Sequence, residues 1–159
     1  MRKFAILIIS AFFLLSCSTV TNIQNTKLEK DKKIVILPLK NNTETIYAGK
    51  RVSSIIRNIL QTKGYDVVYI ETKDDENIDI DRYKELAKSN GDYILIGEVN
   101  EFRYKTGIDG EPAVNISLNL IDLKSDKVVW SAVGSKTGWG HESITTIGQK
   151  LINELFRNF

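Results

Sequence analysis

The sequence predicts an α/β fold in which helices pack on a mixed β-sheet, in the order β-α-β-α-β-β-β-α. Three observations lead there. Ile34-Val35-Ile36-Leu37 is an unbroken apolar run ended by Pro38, the pattern of a strand buried on both faces. Val52, Ile55, Ile56, Ile59 and Leu60 recur at the spacing that puts all five on one face of a helix. Val114, Ile116, Leu118 and Leu120 alternate with Asn115, Ser117 and Asn119, which describes a strand with one face in the core and the other polar.

Folded structure is expected to begin at Lys32 with the first of these strands, followed by a loop at Asn41-Asn42-Thr43. Gly64, just after Lys63, is the stop signal of the first helix, and Tyr65 to Ile70 reads as the second strand. An acidic loop at Asp74-Asp75-Glu76 leads to a short helix from about Ile80 to Ser89, with Asp79 in position to cap it and Asn90-Gly91 to end it. Strand-like segments follow at Tyr93 to Tyr104, Ala113 to Leu123 and Val128 to Lys136, joined by hairpin connections at Asp109-Gly110 and Lys124-Ser125-Asp126-Lys127. Trp130 is assigned to the core, on a face shared with Val128 and Ala132. The last helix, from about Ser143, buries Ile144, Ile147, Leu151, Ile152 and Leu155.

Upstream of this domain the chain carries an address. Arg2-Lys3 precedes an apolar run from Phe4, and the run closes on Leu14-Leu15-Ser16-Cys17. A charged start, a short apolar stretch and a small residue before the break are the parts of a secretory signal, and the run is too short to span a bilayer as a mature helix. The Leu14–Cys17 pattern resembles a bacterial lipobox, which makes residues 1–16 a signal peptide and Cys17 the lipid attachment point. Acylation at both the thiol and the new amino terminus gives a stable anchor, which one chain does not. Ser18, where an inner-membrane retention signal has Asp, directs the expectation to the outer membrane, with the domain facing the periplasm. Residues 18 to about 31 are polar and without period, and read as a flexible tether averaging roughly 20 Å in reach. The expected organisation is thus a signal at 1–16, lipidated cysteine and tether at 17–31, and a single α/β domain at 32–159.

Loss of Arg2 and Lys3 with the signal leaves 20 basic residues against 20 acidic ones, a formally neutral mature chain of 143 residues. A nucleic-acid partner would need a basic excess, and none is present. Cys17 is the only cysteine, so its lipidation leaves no thiol for a disulfide, a metal site or a nucleophile. His141 is the only histidine, and beside Gly140 at the start of a helix it reads as a solvated or capping residue. The Asp74-Asp75-Glu76 and Asp79–Asp81 region lacks the glycine and terminal glutamate of a calcium loop. Gly107 and Gly110 flank a hairpin and open no helix, so they form no phosphate loop. No catalytic residue, cofactor site or metal site is expected.

Two loop features remain. Trp139, between Gly138 and Gly140, is an amphipathic ring that either faces a membrane interface or folds back on the core. Asp109 and Glu111 put two carboxylates at one hairpin tip, where solvation is the ordinary role and function the alternative.

Ile34-Val-Ile-Leu-Pro-Leu with Asn41-Asn-Thr, Gly91-Asp-Tyr-Ile-Leu-Ile-Gly-Glu-Val and Leu118-Asn-Leu-Ile-Asp-Leu-Lys-Ser-Asp-Lys-Val-Val-Trp-Ser resemble the periplasmic α/β domain of envelope lipoproteins of the CsgG, LpoB and PelC type. Tyr104-Lys-Thr-Gly-Ile-Asp-Gly-Glu-Pro and Gly134-Ser-Lys-Thr-Gly-Trp-Gly resemble the PelC type in particular, the lipoprotein of the Pel exopolysaccharide export apparatus. The resemblance spans about residues 32 to 156. It implies a non-enzymatic ring of about a dozen subunits under the outer membrane, guiding a cationic polysaccharide to an outer-membrane porin. It also implies that Trp139 faces the membrane, and the hairpin tip within the PelC-like loop makes Asp109 and Glu111 the candidates to line the polymer path; should that hairpin not be the guide, Asp74, Asp75, Glu76 and Asp79 are the next acidic candidates. An LpoB-like activator of an envelope-building enzyme shares the anchor, tether and domain type and is the alternative. A CsgG-like channel would need long alternating barrel segments, for which the loops between strands are too short.

Overall fold

The structure, a computed structural model, describes residues 18–23, 28–104 and 110–159. Seven strands and three helices are present among them. The apolar run at the start of the domain forms β2 (Lys33–Ile36), which lies between two parallel neighbours, β4 (Asp66–Tyr69) and β5 (Tyr93–Arg103). β5 then pairs antiparallel with β6 (Ala113–Asp122), and β6 with β7 (Lys127–Thr137). The two-residue strand β3 (Lys40–Asn41) runs parallel to the upper part of β5, where a loop was expected. The sheet is mixed, as its sequence pattern predicts.

The largest departure from the sequence reading lies at the amino terminus. Ser18–Ile23 is not tether but strand β1, paired antiparallel with β7 from Ser18↔Lys136 to Ile23↔Ser131. The sheet order is therefore β1-β7-β6-β5-β2-β4. Val20 packs against the main core, and Leu28, also in the segment read as tether, is buried.

Helix α1 (Ala48–Thr62) and helix α3 (Ile144–Leu155) cover one face of the sheet. Val52, Ile56 and Leu60 from α1, and Ile147, Leu151, Ile152 and Leu155 from α3, meet Ile34, Ile36, Leu95, Val114, Ile116, Leu118 and Leu120 from the strands. Burying this many branched side chains, at about 1.5–3 kcal/mol each, makes this layer the principal source of stability. Helix α2 (Ile80–Lys88), capped by the Asp79 carboxylate on Arg82 N, closes a second, smaller core of Val35, Leu37, Ile94, Ile121 and Leu123 on the opposite face. Beyond it that face is polar, with an amide ladder from Asn42 through Asn100 to Asn115.

Trp130 is buried, 4 % exposed, as assigned, and stacks on Phe156 at 5.0 Å with Phe159 set edge-on to both. Val128 does not share its face. The β6–β7 register passes from Leu120↔Trp130 to Ile121↔Val128, so Val129 is an extra residue and strict alternation is broken. Val128 consequently faces solvent.

Candidate functional site at one end of the sheet

The antiparallel registers gather one end of the sheet. Arg103 is opposite Ala113, Ala113 is opposite Thr137, and Lys136 is opposite Ser18. The end of β5, the start of β6, the end of β7 and the start of β1 therefore lie side by side. Glu111, Trp139 and the point at which the chain continues back to Cys17 belong to this one end. Cys17 and Asp109 themselves lie outside the described residues.

Trp139 is 46 % exposed and does not fold back on the core. Its loop is nonetheless held in place. Gly138 donates its N–H to Pro112 O at 2.9 Å, and a Cβ added at Gly138 would collide with Ile147, so this close approach of loop to helix requires glycine. The Glu142 carboxylate accepts the Trp139 N–H at 3.0 Å, while Glu142 N donates back to Trp139 O at 2.8 Å. Lys150, two turns into α3, grips the same carboxylate. The Lys150 hydrogen bond, then that from Trp139 N, hold the Glu142 carboxyl below the usual carboxylate range. Ser143, rather than His141, caps α3 through Thr146 N, and His141 is simply exposed. Glu142 was not foreseen from the sequence, although its position three residues after Trp139 is the spacing at which a carboxylate reaches back to a backbone N–H.

Beside this loop, Tyr104 leaves the end of β5 with 57 % of its surface exposed. It borders an open polar groove of about 500 Å³ between residues 42–45 and 100–104. Thr45 Oγ1 ties the two sides together by donating to Phe102 O at 2.6 Å. Glu111 is exposed nearby, so its carboxylate is free to project a field into solvent. The other acidic candidates do not form one cluster. Asp75 is buried against the start of α1, Asp79 caps α2, and Asp74 accepts from Glu76 N and Asn77 N in its own turn.

Among the described residues no group of three or more His, Cys, Asp or Glu is disposed to hold a metal ion, and no helix is long and apolar enough to cross a membrane. The fold is that of a small α/β domain, and lipoprotein GNA1162 from Neisseria meningitidis shares it at 17% identity and a TM-score of 0.59, over 79% of this chain and 98% of that one. No family model matches the chain, and no curated protein matches it. Solved structures carry the comparison further. The PelC dodecamer from Paraburkholderia phytofirmans is 35% identical, with a TM-score of 0.80, over 89% of this chain and 96% of that one. A substituted form of the same dodecamer gives 35% identity and a TM-score of 0.81, over 90% and 98%. The chain belongs to the PelC family.

Proposed function

We propose that this chain is an outer-membrane-anchored periplasmic lipoprotein that assists exopolysaccharide export. It assembles as a ring of about twelve subunits and guides a cationic polysaccharide toward an outer-membrane porin. The observation that carries this reading is the 35% identity to a PelC dodecamer over nearly the whole of both chains. That likeness also favours export over activation of an envelope-building enzyme. In this reading Cys17 bears the lipid, Trp139 meets the membrane, and Asp109 with Glu111 contributes carboxylates to the polymer path. A heterologous ring repeats each of these residues around one axis, which multiplies a local negative field on a chain whose mature total is neutral. The attraction is screened beyond about 8 Å at physiological salt, so the carboxylates act only where the tips converge. No bond in the polymer is made or broken.

The test is Asp109→Asn with Glu111→Gln. Polymer secretion should fall while protein level, lipidation and oligomer size stay unchanged, and normal secretion by this variant refutes the guiding role.

A further inference from the structure

Resting on the lipidation of Cys17 proposed above, we infer that β1 turns the lipid into a rigid mount, holding the end of the sheet that carries Tyr104 and Trp139 flush against the bilayer with no slack between anchor and domain.

Three observations combine. β1 begins at Ser18, the residue after the cysteine, and its six residues are in continuous register with β7. Ser18 lies opposite Lys136, where paired Cα atoms are about 5 Å apart, and one further peptide adds about 3.8 Å. Ser18 is therefore fixed beside the end of β7, one peptide from the anchor. The strand is also fastened from the side, since Val20 packs against the main core that α3 helps to form. A free coil of the same composition would let the domain wander over roughly 20 Å; a paired strand does not.

The second observation is direction. β1 runs antiparallel to β7, so its first residue is at the end where β7 delivers Trp139 and β5 delivers Tyr104. Both rings are about half exposed, and each joins an apolar body to a polar tip, the composition favoured at a bilayer interface.

Third, the Trp139 loop is already ordered. The Gly138–Pro112 hydrogen bond and the Glu142–Trp139–Lys150 clamp hold the ring-bearing loop to β6 and α3, so little conformational entropy remains to be lost on docking. The partner this end fits is a lipid surface, approached in one fixed orientation.

The experiment uses the full-length chain, processed and lipidated by its host, and reconstituted into vesicles of phosphatidylethanolamine and phosphatidylglycerol with brominated acyl chains. Bromine quenching assigned to Trp139, by difference from Trp139→Phe, should be strong. Insertion of about twelve Gly and Ser residues between Cys17 and Ser18 adds roughly 20 Å of slack and should reduce that quenching at least about two-fold. Amides of residues 18–23 should exchange slowly in the membrane-bound protein. Equal quenching in a fatty-acid-labelled insertion variant, or exchange of those amides at free-chain rates, overturns the mount while leaving lipidation intact. Absence of fatty-acid label on the parent chain refutes the anchor itself, and the mount with it.

Discussion

The Asp75 carboxylate caps helix α1 from 25 residues away, accepting the Lys50 backbone N–H on Oδ2 at 2.9 Å. The helix needs it, because its own N-cap residue, Tyr47, is in the left-handed region at φ 58° and makes no side-chain cap bond. Lys50 completes the clamp by donating its ammonium to Thr72 O at 2.7 Å and Lys73 O at 3.2 Å. Asp75 therefore does structural work as a buried acceptor, which removes it from the acidic candidates for the polymer path.

Asp75→Ala should lower stability by about 2 kcal/mol, since it strips a cap and leaves a partly buried N–H without its acceptor. Asp75→Asn, which keeps an oxygen in place, should lose less. Urea unfolding midpoints at unchanged slope would check both.

The two tryptophans should separate cleanly. Trp130→Ala empties an aromatic cluster and should destabilise by about 3–5 kcal/mol. Trp139→Ala, on an exposed ring, should change stability by less than about 1 kcal/mol while weakening membrane association of the oligomer. A large stability loss at Trp139, read by thermal unfolding, would contradict its solvent-facing placement.

Glu142 sets a pH limit on its loop. Its carboxyl is depressed in the fold, so the clamp is fully present above the ordinary carboxylate range and is lost as pH falls through the depressed value. Acidification through that depressed value, below the ordinary carboxylate range, should free the Trp139 N–H, seen as faster amide exchange there. Glu142→Gln should remove this pH dependence.

At the alkaline side the relevant group is Tyr69. Burial, with Glu71 and Asp75 adding to it against the opposing Arg57, pushes its phenol up to about 12. The unfolded chain ionises first, near pH 10, so stability falls as pH rises from about 10 to about 12. Tyr69→Phe should show a shallower alkaline decline, by on the order of 1 kcal/mol at the upper end, in denaturation curves taken across that range.

Cys17→Ser should give a chain that is uncleaved at this site, carries no fatty acid and is lost from the outer-membrane fraction. Metabolic labelling checks it, and label retained on the variant would remove Cys17 as the attachment point.

Much of the architecture was legible because its signals are local. Five apolar residues on one face of α1 and the alternation of β6 each specify an element without knowledge of any partner. β1 was not legible for the opposite reason. Thr19-Val20-Thr21 alternates over too short a span to outweigh its polar composition, and what makes it a strand is β7, far along the chain. β3 has two residues and exists only because β5 extends past β2. The Val129 bulge reversed the exposure of Val128 because one inserted residue flips every side chain beyond it. At the candidate site, the aromatic and acidic residues could be named from the sequence, but their gathering at one end depends on strand register and direction, which composition does not encode.

The pairing of Ser18 with Lys136 also constrains how the molecule is made. The two residues are separated by 118 positions, so the first strand of the sheet in chain order pairs with the last. Closing so long a loop is entropically slow, and nothing else in the fold can occupy that edge of β7 meanwhile. Folding then has a built-in sequence: the β2–β7 sheet forms, and the amino-terminal strand closes over β7 last. Until that moment β7 presents an unguarded edge to neighbouring copies, and delayed closure is the step at which misassembly between them would begin.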